Sequence, residues 1–269
     1  MLMNEEKLSM FEEGLQEYAI EEYLRYSADT NNLSYWYPYI KDIKSLRIPQ
    51  TVIVPTPVEI IAALWSEQFN HPGPIRDLII EHVESNIIPC MEPGVKYFVK
   101  NGTFSNKFNF QDCETDIEHV VDSFININYN ALIVGAGGLS EFVIREFIPR
   151  EPRGDTIYNG LQLRPEYRCF WHPGEREVST IVDYWKYDEV HPNLYDYDDK
   201  RTFEVTRERR LHDHTEHQLE VIQRVNESFT GRKLPTDEPW SIDVMYSGGD
   251  FWLIDMARKS MSYYANYDN

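Results

Sequence analysis

One stretch near the C-terminal end constrains the fold more than any other: Trp240-Ser-Ile-Asp243-Val-Met-Tyr-Ser-Gly-Gly-Asp-Phe-Trp-Leu-Ile-Asp255-Met-Ala257. Two runs of apolar, β-branched and aromatic residues flank a glycine pair, and each run holds one aspartate. This predicts a β-hairpin, because glycine supplies the positive φ that tight hairpin turns demand. A three-residue loop, Gly248-Gly249-Asp250, sets Ser247 opposite Phe251 and Asp243 opposite Asp255. A loop of two or four residues puts the aspartates on opposite faces, since strand side chains alternate with period two. In the first register two carboxylates stand side by side and repel unless a cation lies between them. Oxygen-only ligation of this kind suits Mg²⁺, which takes one or two carboxylates together with substrate phosphates. The plain alternative is a hairpin whose aspartates are simply solvated.

The rest of the chain bounds the setting. Its 269 residues suffice for one large or two modest domains, and 42% hydrophobic and 14% aromatic content fit a folded globular protein. The formal net charge of −19 argues against general binding to nucleic acid or anionic membranes, which needs a basic footprint. A substrate such as ATP then needs a local basic pocket. Three scattered cysteines, Cys90, Cys113 and Cys169, suggest neither a disulfide framework nor a zinc site, so a reducing cytoplasmic compartment is the simplest expectation. The first residues carry no signal-peptide pattern, and no apolar run approaches the ~18 residues of a membrane helix.

Hydrophobic periodicity predicts a helix over 5–27, an aromatic loop over 31–50 and a strand over 51–54. Helices follow over 57–69 and 75–85. Strands are expected at 97–100 and 108–110 around the polar loop 101–107, then a helix from the acidic residues 112–118 to about 126. Further strands are expected at 131–134, 142–148, 168–171 and 179–184, an acidic tyrosine-rich loop at 186–200, and a helix over 205–229. The whole reads as α+β with mixed sheets.

Several segments carry chemistry-bearing residues. Lys96-Tyr-Phe-Val-Lys100-Asn-Gly-Thr-Phe-Ser105-Asn-Lys107 puts a lysine at a strand end before a small-residue loop, a pattern that can cradle phosphates through backbone N–H groups. Val143-Ile-Arg-Glu146-Phe147-Ile148-Pro149 ends an apolar strand whose edge could meet an adenine. In Leu163-Arg-Pro-Glu166-Tyr-Arg168, Glu166 and Arg168 share one face of a strand, and Arg168 could stabilise phosphate charge in transfer. Gly135-Ala-Gly-Gly imitates a dinucleotide fingerprint but lacks its third glycine and following helix. His212-Asp-His214-Thr-Glu216-His217 has helical metal spacing without a further ligand pattern. The acidic loop 186–200 is a solvated segment, a lid or a dock for a basic peptide.

Taken in order, a strand lysine, a Gly/Ser loop with a second lysine, an Arg-Glu-Phe-Ile hinge, a Glu-x-Arg strand and two acidic strands resemble the ATP-grasp superfamily. The nearest likeness is to its divergent group that includes the cell-division-cycle D123 proteins and phage-type members. Tyr35-Trp-Tyr-Pro, Ile43-Lys-Ser, Arg164-Pro-Glu-Tyr-Arg-Cys-Phe170 and Trp252-Leu-Ile-Asp255 carry that likeness. It implies two α+β subdomains with the nucleotide held between antiparallel sheets, preceded by a smaller N-terminal α/β region. The expected parts are 1–90, a possible substrate-binding subdomain; 91–150, the small subdomain; and 151–269, the C-terminal subdomain with the metal-binding hairpin. The resemblance implies that Lys100 holds the α/β-phosphates and that the loop with Ser105 and Lys107 covers the β/γ-phosphates. Glu146 and the backbone of Phe147 and Ile148 would bind adenine, Arg168 would face the γ-phosphate or an acyl-phosphate, and Asp243 and Asp255 would hold Mg²⁺. Lys100 and Arg168 are the catalytic candidates. The family commonly has a ligating Asn where this chain has Ala257, with Arg258 or Lys259 as nearby cations. The implied activity is ATP- and Mg²⁺-dependent joining of a carboxylate to an amine, with a small molecule or peptide as substrate. The alternative is an ATP-binding assembly factor for a protein client; an RNA-ligase-like nucleotidyl transferase is a distant third.

Overall fold

The computed structural model describes residues 2–152 and 154–263. In chain order the elements are α1 (Glu5–Leu8), α2 (Glu13–Ser27), α3 (Leu33–Ile40), β1 (Thr51–Pro55), α4 (Val58–Trp65), α5 (Pro74–His82), β2 (Tyr97–Asn101), β3 (Glu114–Thr115), α6 (Val120–Ile133), β4 (Glu141–Glu146), β5 (Thr156–Ile157), β6 (Leu161–Gln162), β7 (Glu166–His172), β8 (Glu177–Asp183), α7 (Tyr187–Val190), α8 (Tyr197–Val205), α9 (Arg207–Phe229), β9 (Trp240–Ser247) and β10 (Asp250–Arg258). They form two compact units, one of residues 1–34 and 50–147, the other of residues 35–49 and 148–269. No helix among the described residues is long and apolar enough to cross a membrane.

The first unit is an antiparallel sheet in the order β1-β4-β2-β3. Val54, Val99, Phe142 and Ile144 join one core with α4, α5 and α6, whose residues Ile60, Ile79 and Phe124 are almost fully buried. The alternation of strand side chains puts Phe98, Lys100, Val143 and Arg145 on the opposite face, where Phe98 pairs with Arg145 and Lys100 with Val143. Three expectations change here. The helix predicted over 5–27 is two: α1 stops after one turn, its start capped by Asn4, whose side chain accepts the Lys7 N–H at 3.1 Å, and Leu8 and Phe11 turn inward. Residues 131–134, read as a strand from their β-branched content, finish α6, where Phe124, Ile127 and Ala131 keep helical spacing against the core. Residues 108–110 lie in a 3₁₀ segment, Lys107–Asp112, rather than a strand.

The second unit holds an antiparallel sheet in the order β10-β9-β7-β8 and the small hairpin β5-β6. Both four-stranded sheets are antiparallel throughout, not mixed; the one parallel pairing among the described residues is the isolated bridge Arg47↔Trp252. Helix α9 packs on β7 and β8, with Trp171 against Phe229 at 5.6 Å and Tyr167 stacked on His214 at 4.5 Å. Residues 33–40, expected as loop, form α3 despite Pro38, because Leu33, Trp36 and Ile40 recur at helical spacing and are completely buried. From there the chain runs along β10: the Arg47 N–H donates to Phe251 O and the Leu253 N–H to Arg47 O, both at 2.8 Å.

Candidate functional site

In the second unit the hairpin carries a correction and a confirmation together. The turn is two residues, not three: Asp250 pairs with Ser247 and Phe251 with Tyr246, with Gly248 at φ 62° and Gly249 at φ 81°. Two consecutive positive φ values are what a two-residue hairpin turn of matching twist requires. Such a turn alone would send the aspartates to opposite faces. A β-bulge between Leu253 and Asp255 inserts Ile254 and restores the face, so Asp255 stands opposite Asp243.

The neighbouring strand completes a row. Arg168 on β7 pairs with Asp243 on β9, which pairs with Asp255 on β10. The alternate residues Tyr167, Ile242, Val244 and Leu253 are fully buried. Arg168 grips Asp243 with two parallel bonds, Nε to Oδ1 at 2.8 Å and Nη2 to Oδ2 at 2.7 Å. Both side chains are about nine-tenths buried, and the guanidinium lies over the Tyr184 ring at 4.8 Å. Burial alone would push the Arg168 pKa down; Asp243, then Asp255 and Glu166, more than reverse this and raise it. Arg168 is thus a fixed, permanently charged group. Ser241 lies opposite Ala257, so a methyl faces a hydroxyl one pair beyond the carboxylates on that face. Lys259 Nζ sits 5.8 Å from the Phe170 ring centre, on the residue two along from Arg168, whereas Arg258 turns to Glu238 at 3.6 Å.

In the first unit Lys100 is 2% exposed at the end of β2. Its charge acts on the Glu141 carboxyl, which burial pushes up while the Ser34 hydrogen bonds and Lys100 pull it down. The following loop is held, not loose. The Asn101 side chain accepts from the N–H groups of Thr103 at 3.2 Å and Phe104 at 2.7 Å and donates to Gly137 O at 3.1 Å. Gly102 N–H donates to Gly138 O, and Thr103 Oγ1 to Ala136 O, both at 3.1 Å. The glycine stretch 135–138, which imitates a dinucleotide fingerprint, is therefore a buttress for this loop. A Cβ on Gly138 would lie 2.4 Å from Thr103 Oγ1 and 2.7 Å from Thr103 N. Further along, Ser105 O accepts the Cys113 thiol at 2.6 Å, and buried Asp112 takes amides from Asn106, Asn109 and Asn126 at 2.6–3.1 Å. Lys107 begins the 3₁₀ segment held by this cluster. Phe147 meets Phe110, which meets Phe98, at 6.5 and 6.1 Å, so an aromatic run lies on the Lys100 face. The Glu146 side chain accepts the Gln50 N–H at 3.2 Å.

The structure therefore brings Arg168, Asp243 and Asp255 together in one unit; in the other, Lys100 stands beside Val143 and leads into the loop with Ser105 and Lys107, while Glu146 stands beside Tyr97, three pairs further along the β2–β4 ladder, with Phe147 next to it. Two further residues, Arg145 and Arg164, lie in segments singled out from the sequence but carry no role assigned from it. Arg145 is buried on the Lys100 face, and a charge inside an apolar strand was its only signal. Arg164, also buried, donates to Gln162 Oε1 at 2.9 Å, Ser247 Oγ at 3.1 Å and Ile148 O at 3.3 Å, tying the hairpin turn to the chain at residue 148. The histidine cluster divides: His212 and Glu216 are exposed on α9 at 3.9 Å, His214 is buried on Tyr167, and His217 packs on Tyr246 at 3.9 Å.

No family model matches the chain, and no curated protein matches its sequence. Among solved structures it is similar to Cdc123 from Schizosaccharomyces pombe, in two structures of which one is C-terminally truncated; each has 14% identity and a TM-score of 0.49 over 89% of this chain and 85% of that one. It is also similar to a RimK domain protein ATP-grasp from Sphaerobacter thermophilus DSM 20745, with 9% identity and a TM-score of 0.33 over 82% of this chain and 55% of that one.

Proposed function

We propose that this chain is an ATP- and Mg²⁺-dependent ligase that joins a carboxylate to an amine through an acyl-phosphate. The observation that carries the reading is the row Arg168–Asp243–Asp255: two adjacent carboxylates and a charged guanidinium on neighbouring strands. The donor set fits Mg²⁺, which needs only one or two carboxylates when phosphate oxygens supply the rest. Asp243 gives each oxygen one bond to Arg168, which leaves lone pairs for a cation, and Asp255 is half-buried beside it. The ion would neutralise charge on the phosphoryl group in transfer.

The chain's own residues do the positioning. Arg168, held in one orientation by Asp243, presents fixed positive charge to the γ-phosphate or acyl-phosphate oxygens. Lys100 binds the α/β-phosphates, and the loop with Ser105 and Lys107 contributes N–H groups and a second charge. Glu146 and the backbone of Phe147 and Ile148 take the adenine. Catalysis on this reading is orientation and charge neutralisation, with no covalent nucleophile from the protein. The test is calorimetric titration of ATP with and without Mg²⁺ on wild type and Lys100→Ala, then a screen for ADP release with candidate acids and amines. Micromolar, Mg²⁺-dependent binding lost in the variant supports the reading; no binding to wild type overturns it.

A second reading, an ATP-binding assembly factor for a protein client, is favoured by Tyr195 and Tyr197, 97% and 75% exposed in the acidic segment 186–200. Exposed aromatic rings bordered by charge suit protein recognition. A stoichiometric co-purifying protein with no ADP release selects it.

A further inference from the structure

One turn of α9 gathers three metal-type ligands apart from the acidic row of the sheet. His212, Asp213 and Glu216 each bring one ligand atom there, and these atoms all lie within 4.8 Å of one another. Helical geometry explains the grouping. Glu216 follows His212 by four residues and Asp213 by three, so it is a surface neighbour of both. Helical side chains lean towards the N-terminus, which carries the Glu216 carboxylate back over the turn where the other two stand. A tetrahedral zinc ion holds its ligand atoms about 3.3 Å apart, so small rotations of surface side chains close the group around one.

The three groups are open to solvent and only loosely engaged. The side chains of His212, Asp213 and Glu216 are 78%, 36% and 59% exposed. His212 Nε2 and Glu216 Oε2 are 3.9 Å apart, and Asp213 Oδ2 is 4.0 Å from Arg209 Nε, both too long for hydrogen bonds. Arg209 instead gives Nη2 to Asp155 Oδ2 at 2.5 Å. The backbone beneath is held firmly. The Tyr167 hydroxyl donates to His214 O at 3.1 Å, with Asp213 O at 3.2 Å, and the Tyr167 ring stacks on His214. The ligand chemistry selects the metal. Mg²⁺ and Ca²⁺ take oxygen ligands, whereas an imidazole with two carboxylates suits zinc and its first-row neighbours.

We propose that His212, Asp213 and Glu216 form a surface Zn²⁺ site, with water in the fourth position, that pins the turn of α9 packed on Tyr167. An ion bridging residues one turn apart binds the folded helix and not the open chain, so it stabilises the fold by mass action. Tyr167 precedes Arg168 on β7, so the pinned turn backs the strand that carries the acidic row.

The test uses the full chain labelled with ¹⁵N-histidine, stripped of metal with a chelator and titrated with Zn²⁺ at neutral pH, His212 being assigned through His212→Gln. The expected result is a saturable shift of the His212 imidazole signals complete at one equivalent. Affinity should be at least ~10-fold weaker in Glu216→Gln and in Asp213→Asn, since loss of even an outer partner of a metal ligand costs that much. Glu227→Gln removes the same charge three turns along α9 and should leave affinity unchanged. Zn²⁺ should also raise the melting temperature of wild type more than that of His212→Gln. The substituted side chains lie at the surface, so the variants keep the fold, which circular dichroism verifies. No shift at His212, saturation of another histidine before it, unchanged affinity in both ligand variants, or an equal loss in Glu227→Gln overturns the proposal. The titration contains neither nucleotide nor Mg²⁺, so its outcome is independent of the ligase reading.

Discussion

Arg168→Met gives the most direct test of the acidic row. The substitution keeps most of the side-chain volume and removes the charge, leaving Asp243, 6% exposed, with Asp255 opposite and no cation between them. Because both partners of the Arg168–Asp243 pair are about nine-tenths buried, the cost is that of stranding a buried charge, about 3–5 kcal/mol, not the fraction of a kcal/mol of a surface pair. With an m-value of about 2 kcal/mol/M, a loss of about 4 kcal/mol lowers the urea midpoint by about 2 M. Tryptophan fluorescence follows the relevant unit, since of the six tryptophans only Trp65 lies in the first unit. Two further measurements fix the cause. Adding Asp243→Leu to Arg168→Met should recover most of the loss, because no unpaired charge remains buried. Millimolar Mg²⁺ should stabilise Arg168→Met more than wild type, since the carboxylate pair then has no guanidinium competing for it. A loss below about 1 kcal/mol for Arg168→Met would refute the argument that this row is desolvated.

Other outcomes follow from the same structure. Gly138→Ala forces a Cβ to 2.7 Å from the Thr103 backbone at a φ of +77°, so it should lower stability by about 2 kcal/mol or more in a thermal melt, and Thr103→Ala should not rescue it. His82 is held neutral in the fold, with its pKa lowered from 6.5 to about 4. Its contribution is therefore complete above the unfolded value and lost as pH falls from about 6.5 towards 4, an effect of roughly 3 kcal/mol. The urea midpoint of wild type, measured relative to that of His82→Phe, should fall accordingly as pH drops over that range. Cys113 and Cys169 are buried thiols whose pKa values burial pushes up, so a disulfide reagent at mild alkaline pH should modify Cys90 first and the other two only on unfolding.

Much of this was legible in the residues because it depends on local chemistry. The alternation of the hairpin strands, the stop at Pro149 and the helical spacing of α9 are short-range signals, and Arg168 was readable as one face of a Glu-x-Arg strand. What failed depends on partners distant in sequence. Residues 131–134 have strand-like composition, yet the core that α6 meets fixes them as helix. Residues 33–40 contain Pro38 and an aromatic run that suggests a loop, though burial of Trp36 decides otherwise. The Asn101 clasp needs the carbonyl of Gly137, 36 residues away, and the Arg164 bridge needs Ser247, 83 residues away, so neither has a motif. The bulge at Ile254 is invisible for a different reason: Leu253, Ile254 and Asp255 are ordinary strand residues, and only the pairing partner reveals that one is extra.

That bulge has a consequence for how the hairpin can vary by descent. Turn length and bulge together set a parity: a two-residue turn with one bulged residue places Asp255 on the same face as a three-residue turn with none. Insertions and deletions here are then neutral only in compensating pairs, one in the turn and one in β10. A single change of either kind inverts every side chain beyond it, carrying the carboxylate to the helix-packed face and Met256 to the other.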